Sequence, residues 1–112
     1  MKKLISILLL ISVLTLCLAS CDVSKKDIVG TWRGEWEHNG NEFVATLQIN
    51  YNGTFSTTTY KNGEFYYLHT GEYEIDGMDI SCYYEERRAH AYTYSNGIIK
   101  NGDTPYYRIE NT

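Results

Sequence analysis

The chain has 112 residues, with 10 basic and 14 acidic side chains and a formal net charge of −4. This length suits one domain and no more, and the acidic balance argues against binding to nucleic acid or to anionic lipid headgroups. Aromatic residues are abundant, and 11 of them are tyrosines. Because aromatic side chains favour extended strands, the composition indicates an all-β domain.

The N-terminus joins two lysines to a run of apolar residues. Lys2 and Lys3 precede about sixteen mostly apolar residues, "LISILLLISVLTLCLA", which is the pattern of a secretory signal. The run is shorter than the ~20 residues that comfortably span a bilayer, and a polar segment follows at once. The pattern predicts a signal peptide over residues 1–20, with a short membrane anchor or a buried core helix as the alternatives.

The end of this run, "LASC" at residues 18–21, resembles the lipobox of bacterial lipoproteins. The resemblance implies that the signal is cut off before Cys21 and that Cys21 carries acyl chains, palmitate among them. Several chains anchor far more firmly than one, at ~0.8 kcal/mol per buried methylene. We therefore expect a lipid-anchored protein of a Gram-negative cell envelope. The outer membrane is favoured over the inner, although Asp22 holds some lipoproteins at the inner membrane and leaves the choice open.

Residues 21–27, "CDVSKKD", form a short polar tether, so the domain is expected close to the bilayer. Cys17 would leave with the signal and Cys21 would carry lipid. Cys82 is then the remaining thiol, and no internal disulfide can form. Cys82 alternates with apolar residues and is interpreted as a small buried core residue. Without Lys2 and Lys3 the net charge changes from −4 to −6.

Turn-forming pairs divide the chain from residue 28 onward into short segments. Asn-Gly occurs at 39–40, 52–53, 62–63, 96–97 and 101–102, and Asp-Gly at 76–77. Both central residues of a type I′ turn need positive φ, which Asn, Asp and Gly tolerate best. Between the pairs, apolar and polar residues alternate with period two, as in "EFVATLQIN". The pattern predicts an antiparallel meander of seven or eight short strands.

Strands that each have one apolar face must stack as a sandwich or close as a barrel, and closure removes exposed edges. We predict an all-β fold over residues 28–112, a meander closed into a small barrel, with a flattened barrel or sandwich as the alternative. At this length the interior is nearly filled by its own side chains, which leaves a shallow cavity at most. The stretch "EFYYLHTGEYEID" is one bent strand or two, with Gly71 at the bend.

The start of the first strand, "IVGTWRGEW", resembles the opening of lipocalin-like (calycin) domains, which begin with an apolar pair and Gly-x-Trp. Gly30 and Trp32 occupy these positions. The resemblance implies that Trp32 closes one end of the barrel against an arginine of the last strand. Arg108 in "YYRIE" is the matching residue, and a guanidinium over an indole contributes ~0.5–2 kcal/mol.

The other polar residues show no catalytic or metal signature. The possible metal or haem ligands are His38, His69 and His90, which lack the close spacing of a metal site. The stretch "GTWRGE" also resembles small haem-binding barrels of the nitrobindin type, but the repeated glycines of that family are missing. The glutamate pairs at 35/37 and 72/74 lie opposite the apolar face, as a solvated surface does. We expect no enzymatic activity, no cofactor and no metal.

Tyrosines fall on both faces of several predicted strands, so some of them must lie outside the core. The residues predicted to form an exposed aromatic surface are Tyr66, Tyr83, Tyr92, Tyr94 and Tyr106. Exposed aromatics with polar tips suit contact with glycans, peptides or proteins, whereas ordinary β-propensity is the alternative explanation. The sequence predicts a binding module for a small apolar or glycan ligand, or alternatively a protein-contact or inhibitor lipoprotein that uses this Tyr-rich face.

Overall fold

The computed structural model describes residues 23–109. The predicted signal peptide and the lipidation of Cys21 lie outside the described residues. The elements are α1 (Lys25–Ile28), β1 (Gly30–His38), β2 (Asn41–Ile49), β3 (Thr54–Lys61), β4 (Glu64–Asp76), β5 (Asp79–Tyr84), β6 (Arg87–Ser95), β7 (Ile98–Asn101) and β8 (Thr104–Ile109). No helix within residues 23–109 is long and apolar enough to cross a membrane.

The eight strands form one closed antiparallel barrel in which each strand pairs with the next. The closing ladder joins β1 to β8 and runs from Thr31 opposite Ile109 to Gly34 opposite Tyr106. The predicted meander and its closure are therefore confirmed, and the sandwich alternative is excluded. Because the first and last strands pair, neither is left as an open sheet edge.

Three of the six predicted type I′ turns are confirmed, whereas the pair at 52–53 ends a four-residue loop in which only Gly53 has positive φ. Both residues of three Asn-Gly pairs have positive φ, as a type I′ turn requires: 39–40, 62–63 and 96–97. After Asp76 and after Asn101 the turn lies one residue later than predicted. Its first residue is then the glycine, Gly77 with φ 62° or Gly102 with φ 57°, which is the type II′ arrangement.

The stretch "EERR" at residues 85–88 was predicted to contain a turn, although it holds no Asn-Gly or Asp-Gly pair. The turn between β5 and β6 consists of Glu85 and Glu86, which have φ of 52° and 64°. A residue with a Cβ in the left-handed region costs ~1–2 kcal/mol. The pairing of β5 with β6 on either side of the turn holds both glutamates in this conformation.

Strand β4 is one continuous strand of 13 residues. Its first part pairs with β3 and its last part with β5, so a single strand connects two neighbours around the barrel. A Cβ at Gly71 would overlap the carbonyl oxygen of Tyr83. Glycine at this position therefore lets the β5 backbone approach β4 closely.

The two ends of the barrel differ in packing. We call the end that holds α1 and the β2–β3, β4–β5 and β6–β7 turns the closed end, and the other the open end. The largest side chains that are wholly buried are apolar, and they include Ile28, Trp32, Leu47, Ile80 and Ile99. Burial of such a side chain contributes ~1.5–3 kcal/mol.

Cys82 belongs to this core and is free. Burial raises the pKa of its thiol to about 12, so the thiolate, which is the reactive form, is strongly disfavoured. The interpretation of Cys82 as a small buried core residue is confirmed.

Candidate functional site

The closed end is sealed by Trp32 and Arg108. The Trp32 indole is fully buried, and its Nε1 donates a hydrogen bond to the carbonyl oxygen of Ile28 at 2.8 Å. The Arg108 guanidinium carbon lies 4.4 Å from the centroid of the indole ring. The Arg108 guanidinium thus covers the outer face of the Trp32 indole.

The same guanidinium also holds the segment before β1. Its two terminal nitrogens donate to the carbonyl oxygens of Val29 and Asp27, each at 2.6 Å. Gly30 has a φ of 141°, and a Cβ there would overlap the Arg108 guanidinium. The structure therefore brings Gly30, Trp32 and Arg108 together at the closed end.

The open end encloses a cavity of about 230 Å³. Four aromatic side chains line it: Trp36, Tyr67, Tyr92 and Tyr106. The other lining residues are polar but carry no permanent charge: Thr57, His90, Asn101 and Thr104. The volume is below the ~300–1,000 Å³ of pockets for drug-sized ligands, so the space suits a smaller molecule.

Wider depressions lie on the outer surface of the barrel. The one bordered by Asn52, Glu72 and Glu86 measures about 440 Å³. It is lined by carboxylates and open to solvent along one side, so much of the surface of a molecule bound there would remain exposed to solvent. The cavity inside the open end would surround a ligand better and is the stronger candidate for a binding site.

Two histidines meet in the barrel beside this cavity. Nδ1 of His69 and Nε2 of His90 share a hydrogen bond of 2.9 Å. The His69 ring stacks between Tyr67 and Tyr84, with centroids 4.3 and 4.1 Å away. One of these two nitrogens must carry the N–H that donates and the other must accept, so a single N–H lies between the two rings.

The buried groups of the cavity are kept uncharged. Burial, and secondly the charge on His69, lowers the pKa of His90 to about 4. Burial likewise raises the pKa values of Tyr92 and Tyr106 well above the ordinary value of a phenol. At neutral pH the cavity therefore offers a neutral imidazole and protonated phenols.

Thr59 on β3 adds a further hydroxyl group to the interior of the barrel. Thr59 is buried, and its Oγ1 has no hydrogen-bond partner within residues 23–109. A buried hydroxyl without a partner costs ~1–3 kcal/mol. It stands opposite Tyr67 in the β3–β4 ladder, on the same strand as the cavity residue Thr57.

The predicted exposed tyrosine surface is only partly present. Tyr66 is exposed, whereas Tyr92 and Tyr106 are 2% and 3% exposed, so the prediction was wrong for these two residues. The pleat turns both of them inward, where their rings meet edge to face. Tyr83 and Tyr94 are half-buried, and Tyr94 packs edge-on against the Trp32 ring.

A different aromatic surface occupies the β3–β4 hairpin at the open end. We call it the hairpin patch, and its exposed residues are Tyr60, Phe65, Tyr66 and Leu68. A register shift after Thr59 pairs Tyr60 with Phe65 and leaves Tyr66 without a partner in the ladder. The run "FYYL" was the available signal, since successive strand residues cannot all face inward.

Sequence reasoning missed the histidine pair because the two residues lie on strands that are not neighbours. His69 is on β4, His90 is on β6, and β5 runs between them. Both occupy inward positions of their strands, which was the only local signal. Within residues 23–109, no group of three or more His, Cys, Asp or Glu side chains could hold a metal ion.

Comparisons of the chain with family models, with curated proteins and with solved structures found no match. The geometry of the closed eight-stranded barrel and its cavity is therefore the basis for a functional argument.

Proposed function

We propose that this protein is a lipid-anchored envelope lipoprotein whose lipocalin-like barrel binds a small uncharged ring-shaped ligand at the open end. The observation that carries the proposal is the cavity of about 230 Å³, with aromatic faces and neutral hydrogen-bonding groups on its walls. The "LASC" motif at residues 18–21 supports the lipid anchor. The Trp32–Arg108 contact supports the likeness to lipocalins.

The lining chemistry favours a polar ring over an acyl chain. The faces of Trp36, Tyr67 and Tyr106 offer stacking surfaces for a flat or puckered ring. His90, Asn101 and Thr104 offer donors and acceptors for its edge substituents. An acyl chain would leave these half-buried groups without a hydrogen-bond partner in the cavity, which is unfavourable.

The lining also disfavours a charged ligand. None of the eight lining side chains is an acid or a strong base, and a buried charge without a partner is costly. Of the ligand classes that the sequence indicates, a single neutral sugar unit of a glycan suits this cavity better than an aliphatic molecule.

Ligand titration of the full-length protein in lipid nanodiscs tests the proposal. The probes are N-acetylglucosamine, glucose, galactose and indole, and calorimetry detects binding. We expect saturable binding of at least one ring compound. Tyr106→Phe should weaken it ~5- to 10-fold, because one hydrogen bond contributes about 1 kcal/mol.

Tyr107→Phe is the matched control, because Tyr107 lies next in the chain but is exposed on the outer face. The control should bind like the wild type. A panel in which no compound saturates, or equal losses in both variants, would contradict the proposal.

The hairpin patch supports a second function, contact with a protein partner. Phe65 and Tyr66 are more than half exposed, and the Phe65 ring meets the exposed Tyr60 ring edge to face. Exposed apolar side chains that lie together usually mark an interaction surface. A photo-crosslinking amino acid at position 65 in living cells tests this alternative, with position 107 as the control. A discrete crosslinked protein at position 65 alone would support it, and identical patterns at both positions would contradict it.

A further inference from the structure

The segment before the barrel is held at the closed end, between two turns. The amide of Val23 donates to the carbonyl oxygen of Gly77 in the β4–β5 turn at 3.0 Å. The ammonium of Lys25 lies 3.4 Å from the carbonyl oxygen of Tyr51 in the β2–β3 turn. Residues 23–25 therefore bridge the two turns, and Val23, the first residue that the structure describes, lies beside the β4–β5 turn.

Exposed apolar side chains stand on both of these turns. Tyr51 is 68% exposed and Met78 is 50% exposed, and Ile109 at the end of β8 is also exposed. We call these three residues the closed-end rim. The Lys25 ammonium lies 5.8 Å from the centroid of the Tyr51 ring, so a cation and an aromatic ring that bears a hydroxyl group lie side by side at this end.

We propose that the closed-end rim rests on the lipid bilayer, with Tyr51 and Met78 in the interfacial layer, while the cavity opens away from the membrane. This inference rests on the lipid anchor at Cys21 in the proposed function. It adds an orientation of the barrel and a second, non-covalent contact with lipid.

The length of the tether supports this orientation. Only Asp22 separates Cys21 from Val23, and two residues of chain cover at most about 7 Å. The nine residues of β1 span ~30 Å along the strand. Because the strands of a barrel are tilted relative to its axis, this corresponds to ~20 Å along the axis. An upright barrel therefore keeps the hairpin patch well outside the lipid layer that the anchor reaches.

Within residues 23–109, charged side chains of both signs lie near the closed-end turns, so the contact does not depend on anionic lipid. The basic residues there are Lys25, Lys26 and Arg108, and the acidic residues near the same turns are Asp27, Asp76 and Asp79. Tyrosine suits the boundary between headgroups and acyl chains because its ring is apolar and its hydroxyl is polar. Phosphatidylcholine vesicles should therefore suffice.

Fluorescent labels on single introduced cysteines test the orientation. The full-length acylated protein is placed in phosphatidylcholine vesicles with an environment-sensitive label at Tyr51→Cys, Met78→Cys or, as the matched control, Phe65→Cys. All three residues are exposed, so the substitutions leave the core intact, and the buried Cys82 should not react with the label. Spin-labelled lipid should quench the labels at 51 and 78 at least twofold and leave the label at 65 unchanged.

Each other outcome overturns the inference. Quenching at 65 that equals or exceeds quenching at 51 and 78 would place the open end at the bilayer. Labels at 51 and 78 that are shielded from water but not quenched by lipid would show a protein segment covering the rim. Mass spectrometry of the same sample separates the two proposals. Acylated protein with the wrong orientation overturns the inference alone, whereas unacylated Cys21 overturns both the inference and the lipid anchor.

Discussion

The closed and open ends of this barrel are built on the same strands, but side chains fill the closed end and leave a cavity at the open end. At the closed end, Trp32 and Ile28 are wholly buried and the Arg108 guanidinium satisfies backbone carbonyls. At the open end, Tyr92 and Tyr106 are also buried, but they line a cavity of about 230 Å³ that the side chains do not fill. From this difference we expect the closed end to contribute more to the stability of the barrel, whereas the open end holds the cavity of the proposed binding site.

The two tryptophans provide the largest test of this comparison. Trp32→Ala should lower the free energy of unfolding by ~3–5 kcal/mol, because it removes a fully buried ring and leaves a void. Trp36→Ala should cost only ~1–2 kcal/mol, because Trp36 is half-buried at the cavity. Urea unfolding followed by circular dichroism measures both values.

If Trp32→Ala does not fold, Trp32→Phe serves instead, since it retains an aromatic plug without the hydrogen bond to Ile28. Equal losses at positions 32 and 36 would show that the two ends contribute alike.

The arginine at the closed end provides the next largest effect. Arg108→Gln should cost ~2 kcal/mol, because two charge-assisted hydrogen bonds and the contact with Trp32 are lost. Arg33→Gln is the matched control. Arg33 forms a salt bridge with Glu35 in which both side chains are exposed to solvent, and such a salt bridge contributes ~0–1 kcal/mol. Thermal unfolding of the two variants should separate clearly; a loss for Arg33→Gln as large as that for Arg108→Gln would argue against the closing role of Arg108.

The low pKa of His90 predicts that the protein loses stability in acid. In the unfolded chain His90 takes up a proton near its ordinary pKa of 6.5, whereas in the folded protein its pKa is about 4. The unfolded state binds more protons between these values, so the free energy of unfolding falls as pH drops from 6.5 towards 4. The expected loss is ~1–2 kcal/mol, after allowance for the partial exposure of the ring.

His90→Gln should flatten this pH dependence between pH 7 and 5. His38→Gln should leave it unchanged, because His38 is exposed beside the β1–β2 turn. Urea midpoints measured across this range decide the point, and a His90→Gln variant that keeps the full acid loss would disprove the assignment.

The smallest effect concerns the strained turn at the open end. Glu86→Gly should stabilise the protein by ~0.5–1 kcal/mol, because glycine accepts the positive φ of 64° without a steric penalty. Glu72→Gly, in the paired part of β4, should instead destabilise it. Urea unfolding measures both, and a destabilised Glu86→Gly variant would mean that the glutamate side chain itself holds the turn.

The sequence predicted local structure well where the cause was local. An Asn-Gly pair favours a hairpin turn wherever it stands, and alternation between apolar and polar residues marks a strand and its inward face. These signals sufficed for the antiparallel meander and for the burial of Cys82. The sequence placed a turn within residues 85–88 but did not predict its positive φ values, because glutamate does not favour them and the pairing of the flanking strands imposes them.

The site was harder to predict because it depends on how the sheet curves. Alternation alone could not tell which of the tyrosines would face the interior, so Tyr92 and Tyr106 were placed on the surface. It also could not show that residues 69 and 90, separated by a whole strand, would share a hydrogen bond of 2.9 Å.

Turn chemistry and strand periodicity were thus readable from the chain, since each depends on a few consecutive residues. The register of the β1–β8 pairing, the unfilled space at one end and the position of residues 23–25 at the other were decided by the tertiary structure. All three result from contacts between distant residues, which form only when the meander bends round and closes on itself.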